Sequence, residues 1–309
     1  MTGRLPLVSV VIPVRDDPDG LRRCLRALAA QDYPPDRLEV LVVDNGSVAS
    51  LEGVVHQQPH VRLLAEPAGG SYAARNHGVA EAHGEVIAFT DADCRPDPGW
   101  LRAGVDAITD RRDVGLVAGR IEVVVADRAR PTPVEAYELL HAFPQERYAR
   151  LHHFAATANA FTRRDVLREV GWFDPSLRSG GDKEWGARLR SVGYGIRYCP
   201  DALVRHPARA TLAQLHAKFV RVFDGERVLR ARVGSTLEGP ADLRWWRRLV
   251  PPLRAIARAW RGRELPGPRA KLAYTVGVVL ARYVGLWVGL RARYGASPVG
   301  ASDEAAAHA

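Results

Sequence analysis

The 309-residue sequence predicts an α/β fold with a mostly parallel sheet flanked by helices. Three observations carry that expectation. Apolar, β-branched runs of strand length recur at Leu7–Val14, Leu38–Val43, Val61–Leu64 and 86–90, and continuous hydrophobicity marks strands buried on both faces. Stretches with helical spacing separate them, the rhythm of strand–helix–strand crossovers. The run Val86–Phe89 leads straight into Asp91 and Asp93, which places two carboxylates at the carboxyl end of a central strand, where open α/β sheets bind ligands.

The elements follow in order. After the first strand, Leu21, Cys24, Leu25 and Leu28 repeat at helical spacing, ending near Tyr33-Pro34. The second strand runs into Asp44-Asn45-Gly46-Ser47, and Leu51–Gln57 is a short helix. After the third strand, the Gly69-Gly70 loop opens a helix over Ser71–His83. Beyond the central strand, Pro98–Thr109 reads as helix and Val114–Val125 as strand. One helix is expected over Val134–Tyr148, a strand over Thr157–Thr162, and helices over Asp165–Val170 and Asp182–Val192. Strands at Ile196–Cys199 and Leu203–His206 precede a long basic helix over Thr211–Arg232.

Bulk properties narrow the function classes. Three scattered cysteines, Cys24, Cys94 and Cys199, exclude a disulfide framework and suit a reducing cytosol. The start M-T-G-R-L-P enters a strand at once, so no signal peptide is expected. Net charge is +9, unevenly spread: residues 1–206 carry 26 basic and 28 acidic side chains, and residues 207–309 carry 18 and 7. The C-terminal third therefore calls for an anionic partner.

No glycine-rich turn follows the first strand, and no Gly-Lys, H-E-x-x-H or G-x-S-x-G pattern occurs. Their absence removes the common dinucleotide, P-loop, zinc-protease and serine-hydrolase readings. Polar groups end the strands instead. Asp91 and Asp93, with Ala92 between them, would repel each other unless a cation such as Mg²⁺ or Mn²⁺ intervened. Asp44 offers an acceptor to a base or ribose, or closes a turn. Arg75 reaches a phosphate, or is a solvated helix charge. Pro13 and Arg15 stand at the end of the first strand.

The ordered series V-S-V-V-I-P-V, V-V-D-N-G-S, A-A-R-N-H-G and F-T-D-A-D resembles glycosyltransferase family 2. So do N-A-F-T-R-R-D, V-G-W-F-D-P and G-G-D-K-E-W-G-A-R-L-R-S-V-G-Y further on, and the likeness spans residues 7–206. It implies a Rossmann-like GT-A fold, a nucleotide-sugar donor (UDP-, GDP- or dTDP-linked), a divalent metal and inverting transfer to a hydroxyl. By resemblance, Asp44 binds the base, Arg75 lies near the donor, and Pro13, Arg15 and Ala92 line its site. Asp91 and Asp93 hold ribose, metal and diphosphate, and His206 in V-R-H-P completes the metal site. Asp182 matches the catalytic base, with Glu184 as the alternative. The acid that the family pattern places before Asp182 is Gly181 here, and Asp182 also reads as a helix N-cap.

The expected domains are a catalytic one over 1–206, with a nucleotide-sugar half at 1–125 and an acceptor half at 126–206, then a helical basic extension over 207–300 and a disordered tail over 301–309. Loops such as 66–72 and 128–155 would supply the pocket walls that read sugar hydroxyls. Leu243–Arg263 mixes Arg with Trp, the composition of an interfacial segment. Leu272–Leu290 is long enough to span a bilayer but carries Arg282 centrally, which favours a surface or partly immersed helix over a span; a helical pair packed on the catalytic domain is the alternative. These features point to a cytoplasmic enzyme, peripheral at the inner face of an anionic membrane, with a lipid-linked or cell-envelope glycan as acceptor. A nucleotidyltransferase, a non-catalytic nucleotide-binding relative and a nucleic-acid-binding protein are the rival readings. The first lacks its phosphate loop, the second would not need Asp91, Asp93 and Asp182, and the third conflicts with an acidic first two-thirds.

Overall fold

The computed structural model describes residues 4–56, 58, 60–233 and 250–294. The expected tail at 301–309 and the part of the Arg/Trp segment before residue 250 lie outside them. The chain forms two compact units. One comprises residues up to Glu122 together with Phe143–His206; the other comprises Val123–Ala142 and the residues from Pro207 onward.

The first unit holds β1 (Val8–Val14), α1 (Pro18–Ala29), β2 (Leu38–Asp44), α2 (Glu52–Val55), β3 (Val61–Ala65), α3 (Ser71–Glu81) and β4 (Val86–Thr90). It continues with β5 (Arg95–Pro96), α4 (Trp100–Thr109), β6 (Val114–Val124), α6 (Gln145–His152), β7 (Asn159–Arg163), α7 (Arg164–Val170), α8 (Gly181–Ser191) and β8 (Gly195–Pro207). Between β6 and α6 the chain leaves for α5 (Pro133–His141), which packs in the second unit.

The eight strands form one sheet in the order β3-β2-β1-β4-β7-β6-β8-β5. β1, β2, β3 and β4 pair in parallel, as the crossover rhythm predicts. The remainder departs from it: β7 is antiparallel to both β4 and β6, and β5 to β8. The alternation stops there because α5, between β6 and β7 in sequence, packs elsewhere and is no crossover helix. β4 is buried throughout and β1 nearly so, which is why their sequences are continuous apolar runs. Gly78 lets α3 press on this layer, since a Cβ there would collide with Val11.

Two local predictions change. The single helix expected over 134–148 is two, because Pro144 has no N–H to donate and pushes the residue before it out of the helical region; Phe143 sits at φ +50. The two strands expected near 196–206 are one, β8. Pro200 is tolerated inside it because β5 pairs only at Val204 and Arg205, leaving that flank open at Pro200.

Several family-like motifs prove to be cross-links. Asn159 accepts from the Trp100 indole (2.8 Å) and donates to the carbonyls of Arg120 and Ala202 (both 2.8 Å), tying α4, β6 and β8 to β7. Arg163 spends its fork on the carbonyls of Ile108, Val114 and Arg112. Asn76 exchanges two hydrogen bonds with the Phe173 backbone (2.7 and 3.1 Å), pinning the V-G-W-F-D segment to α3.

In the second unit, α5 packs with α9 (Leu212–Val233), α10 (Leu253–Arg261) and α11 (Gly267–Tyr294). Residues 123–142 therefore do not join the acceptor half expected over 126–206. The reason is the apolar seam: Ala136 meets Ala259, Ala270, Tyr274 and Val278, and Val134 meets Leu215 and Ala281. A buried charge is locked into this unit. Glu138, 1% exposed, accepts from Lys218 (2.6 Å) and Arg209 (3.1 Å). Burial alone would raise its carboxyl, but the two cations outweigh that and hold it below its ordinary 4.5. The contribution to stability is therefore full above that value and lost as pH falls and the group protonates. Glu138→Ala strands two cations in the seam and should cost about 3 kcal/mol, read as a lower Tm at neutral pH and a smaller deficit in acid.

Candidate active site

The carboxyl ends of β1, β2 and β4 share one edge of the sheet, as their register requires. Ala92 is buried in the turn after β4, and the acids on either side of it diverge. Asp91 accepts from Arg75 Nη2 at 2.6 Å. Asp93 lies 3.6 Å from His206 Nε2, which comes from the end of β8. The tight pair in the sequence thus serves two neighbouring subsites.

Arg75 is 4% exposed, so it is no solvated helix charge. Its Nη1 donates to the Ser71 carbonyl (3.2 Å), and its Nε is buried with no hydrogen-bond partner. Its ion pair with the part-exposed Asp91 sets a fixed positive charge behind the acidic turn.

Asp182 is the second residue of α8, after the left-handed Gly180. It does not cap the helix. Its carboxylate instead accepts from Thr157, the N–H at 3.3 Å and the hydroxyl at 3.2 Å, while its own N–H donates to the Tyr72 hydroxyl at 3.3 Å. Burial raises its pKa above the ordinary 3.8. Arg75, the Thr157 N–H and the Tyr72 hydroxyl oppose the rise, and the charge of Asp91 adds to it. A helix start favours an anion, but here burial wins, which leaves a more basic carboxylate. Asp182, Arg75 and Asp91 thereby form one electrostatic cluster.

Glu184, two residues on, is committed elsewhere. It takes a two-pronged bond from Arg188 (2.6 and 2.9 Å), whose other donors hold the carbonyls of Val170 and Trp172. The arrangement separates the two acids: one carboxylate faces the cluster and the other braces α8.

Asp93, Cys94 and His206 bring their ligand atoms within 4.8 Å of one another. Cys94 is buried and its thiol is pushed well up by burial; a neutral thiol is a poor ligand for a hard cation. Asp93 and His206 are the members that fit a divalent ion. Among the described residues Asp91 is outside this group, being engaged by Arg75. The Phe143 ring packs 4.6 Å from the His206 ring and fixes its orientation.

The remaining predicted positions lie further along the edge. Asp44 ends β2, two strands from β4 and so about 10 Å away; its carboxylate accepts from the Ser47 N–H (2.9 Å), closing the D-N-G-S turn. The neighbouring Asn45 Oδ1 is buried without a partner. Pro13 pairs in register with Val43, and Arg15 is half exposed, 3.6 Å from Asp16. Sequence reasoning missed Tyr72, Thr157 and the position of Cys94 beside the Asp93–His206 pair. Tyr72 and Thr157 matter through contacts to residues 110 and 25 positions away, which no local pattern announces.

Comparison with known proteins agrees with this geometry. The sequence model of Glycosyl transferase family 2 matches residues 9–171. Glycosyltransferase AglE of Haloferax volcanii is 37% identical over 231 residues, covering 73% of this chain and 75% of its own. The pre-mycofactocin glycosyltransferase of Mycobacterium tuberculosis is 36% identical over 215 residues, 66% of this chain but only 43% of its own length. Among solved structures, the mannosyltransferase PcManGT from Pyrobaculum calidifontis, in complex with GDP-Man and Mn²⁺, is similar with a TM-score of 0.53 and 21% identity, over 96% of this chain and 78% of its own. That likeness shows the fold, with a mixed sheet flanked by helices. The chain belongs to glycosyltransferase family 2, enzymes that take a sugar from a nucleotide-sugar donor, and has the GT-A fold.

Proposed function

We propose that this glycosyltransferase inverts the anomeric centre in a single displacement, with Asp182 as general base and a divalent ion at Asp93 and His206. One observation supports this most: a partly buried, more basic carboxylate lies in the same cluster as Arg75 and Asp91 yet is separate from the Asp93–His206 pair. Asp182 takes the acceptor hydroxyl proton as the oxygen bonds to the anomeric carbon. The bond from that carbon to the diphosphate oxygen breaks, and the nucleoside diphosphate leaves on the opposite face. The fixed charge of Arg75 offsets part of its negative charge electrostatically. When bound, the ion supplies Lewis-acid neutralisation of the leaving diphosphate. A carboxylate with an imidazole suits Mn²⁺ better than Mg²⁺, which prefers oxygen ligands. Asp44 and Asn45, at the end of β2, are the positions for the base or ribose, with Pro13 and Arg15 beside them. GDP-mannose is the first donor to test, followed by UDP- and dTDP-sugars. Product NMR reads the anomeric configuration, and retention would overturn the mechanism.

The acceptor we infer is a glycan carried on a lipid, reached at the inner face of the membrane. α11 is long and apolar enough to cross a bilayer by length and composition. Its buried side carries Ala270, Tyr274, Ala281 and Val288. The opposite side is also apolar, with Leu272, Val276, Tyr283 and Trp287 each 43–59% exposed, a stripe about 22 Å long. Arg282 sits midway, and α10 adds exposed Leu253 and Trp260 beside Arg254, Arg258 and Arg261. Apolar stripe and arginines together suit an anionic interface rather than a span. Trp260→Ser with Trp287→Ser should lower sedimentation with phosphatidylglycerol vesicles about tenfold while sparing transfer to a soluble acceptor analogue. Equal vesicle binding by both proteins would remove the membrane reading.

A further inference from the structure

Asp182 is faced by Tyr72 and Arg75 from α3, Asp91 after β4, Tyr148 from α6 and Thr157 ahead of β7. Thr157 grips the carboxylate from one side. Tyr72 supplies the other side, by way of a glycine. A Cβ on Gly181 would stand 2.7 Å from Tyr72 Cζ, 2.8 Å from Cε2 and 3.0 Å from Cδ2. The phenol edge therefore occupies the space where a side chain at 181 would be. Tyr72 is 5% exposed, and its ring packs against Phe173 at 5.6 Å, 30° from parallel. That wedge delivers the hydroxyl to the first turn of α8. There it accepts the Asp182 N–H, one of the donors a helix start leaves unsatisfied, and its hydroxyl favours the charged Asp182 carboxylate against burial.

We propose that Tyr72 is the positioning residue of the general base: seated over Gly181, it holds the Asp182 carboxylate in the orientation that meets the acceptor hydroxyl. Glycine at 181 and tyrosine at 72 form one device, because any larger residue at 181 evicts the ring. The inference rests on Asp182 being the base. It adds that the base depends on a phenol contributed by a different element. Tyr72, 5% exposed, acts through Asp182.

The test is a kinetic double-mutant cycle on the full chain, with Asp182→Asn as the reference. Tyr72→Phe keeps the wedge and removes the hydroxyl. It should lower kcat about tenfold, leave KM for the donor unchanged, and move the acid limb of the kcat profile to higher pH, since a hydroxyl that favours the charged carboxylate is gone. Gly181→Ala should lower kcat in the wild-type background but cost nothing further in Tyr72→Ala, because the evicted ring is already absent. Circular dichroism and Tm identify variants that are merely unfolded, and Tyr72→Phe retains the apolar packing. A Tyr72→Phe enzyme with wild-type kcat and pH limb overturns the proposal, as does strict additivity of the Gly181 and Tyr72 changes. If Asp182→Asn is itself active, the base assignment falls instead, so the two failures are distinguishable.

Discussion

Asp182→Asn should abolish transfer and raise thermal stability in the same protein. General-base removal costs about 10²–10⁴ in rate, so kcat should fall by at least about a thousandfold while donor-induced stabilisation persists. The stability gain follows from the raised pKa of the folded state. Folding favours the protonated, neutral form of this carboxyl, so its support is fully present below the ordinary 3.8 and is lost as pH rises through the elevated folded value. At neutral pH the native protein therefore carries a buried charge at a cost, and asparagine removes the charge while keeping an acceptor for Thr157. Thermal melts of both proteins from pH 4 to pH 8 check this: the variant should melt higher at pH 8, and the gap should narrow toward pH 4. An active variant would remove Asp182 from the chemistry. Glu184→Gln is the control, and it should weaken the Arg188 brace and Tm without comparable loss of kcat.

Asp93→Asn should raise the Mn²⁺ concentration needed for half-maximal activity by more than about 100-fold, since losing a direct ligand exceeds the 10–100-fold cost of losing a partner behind one. His206→Ala should do the same more weakly and narrow the preference for Mn²⁺ over Mg²⁺, because the imidazole is the ligand Mg²⁺ uses least. A second readout separates metal from chemistry: Mn²⁺ plus nucleoside diphosphate should raise the Tm of wild type and Asp182→Asn, but not of Asp93→Asn. Unchanged metal dependence in Asp93→Asn would take the ion away from this pair.

The strands and the acidic edge were legible because their causes are local. β1, β2 and β4 are buried on both faces, so each is a continuous apolar run, and the polar residue that ends each run marks the ligand-bearing edge. The split at Phe143-Pro144, where one helix over Val134–Tyr148 is expected from periodicity, has a local cause in proline stereochemistry that the apolar pattern does not carry. The membership of α5 in the second unit was not legible, since its partners Ala259, Ala270 and Tyr274 lie more than a hundred residues later. Asn159, Arg163 and Asn76 belong to motifs that carry the family resemblance, and the fold uses them to brace the scaffold.

Hydrophobic periodicity and residue chemistry, which belong to neighbours along the chain, were enough to announce the strand–helix order, the acidic edge and the basic C-terminal third. Folding in three dimensions sorted the acids: Asp91 to Arg75, Asp93 to His206, Asp182 to Thr157 and Tyr72, and Glu184 to Arg188. All four carboxylates are chemically alike as letters. Burial and the partner across the gap leave one more basic and make another a brace, and both depend on residues that only the fold brings near.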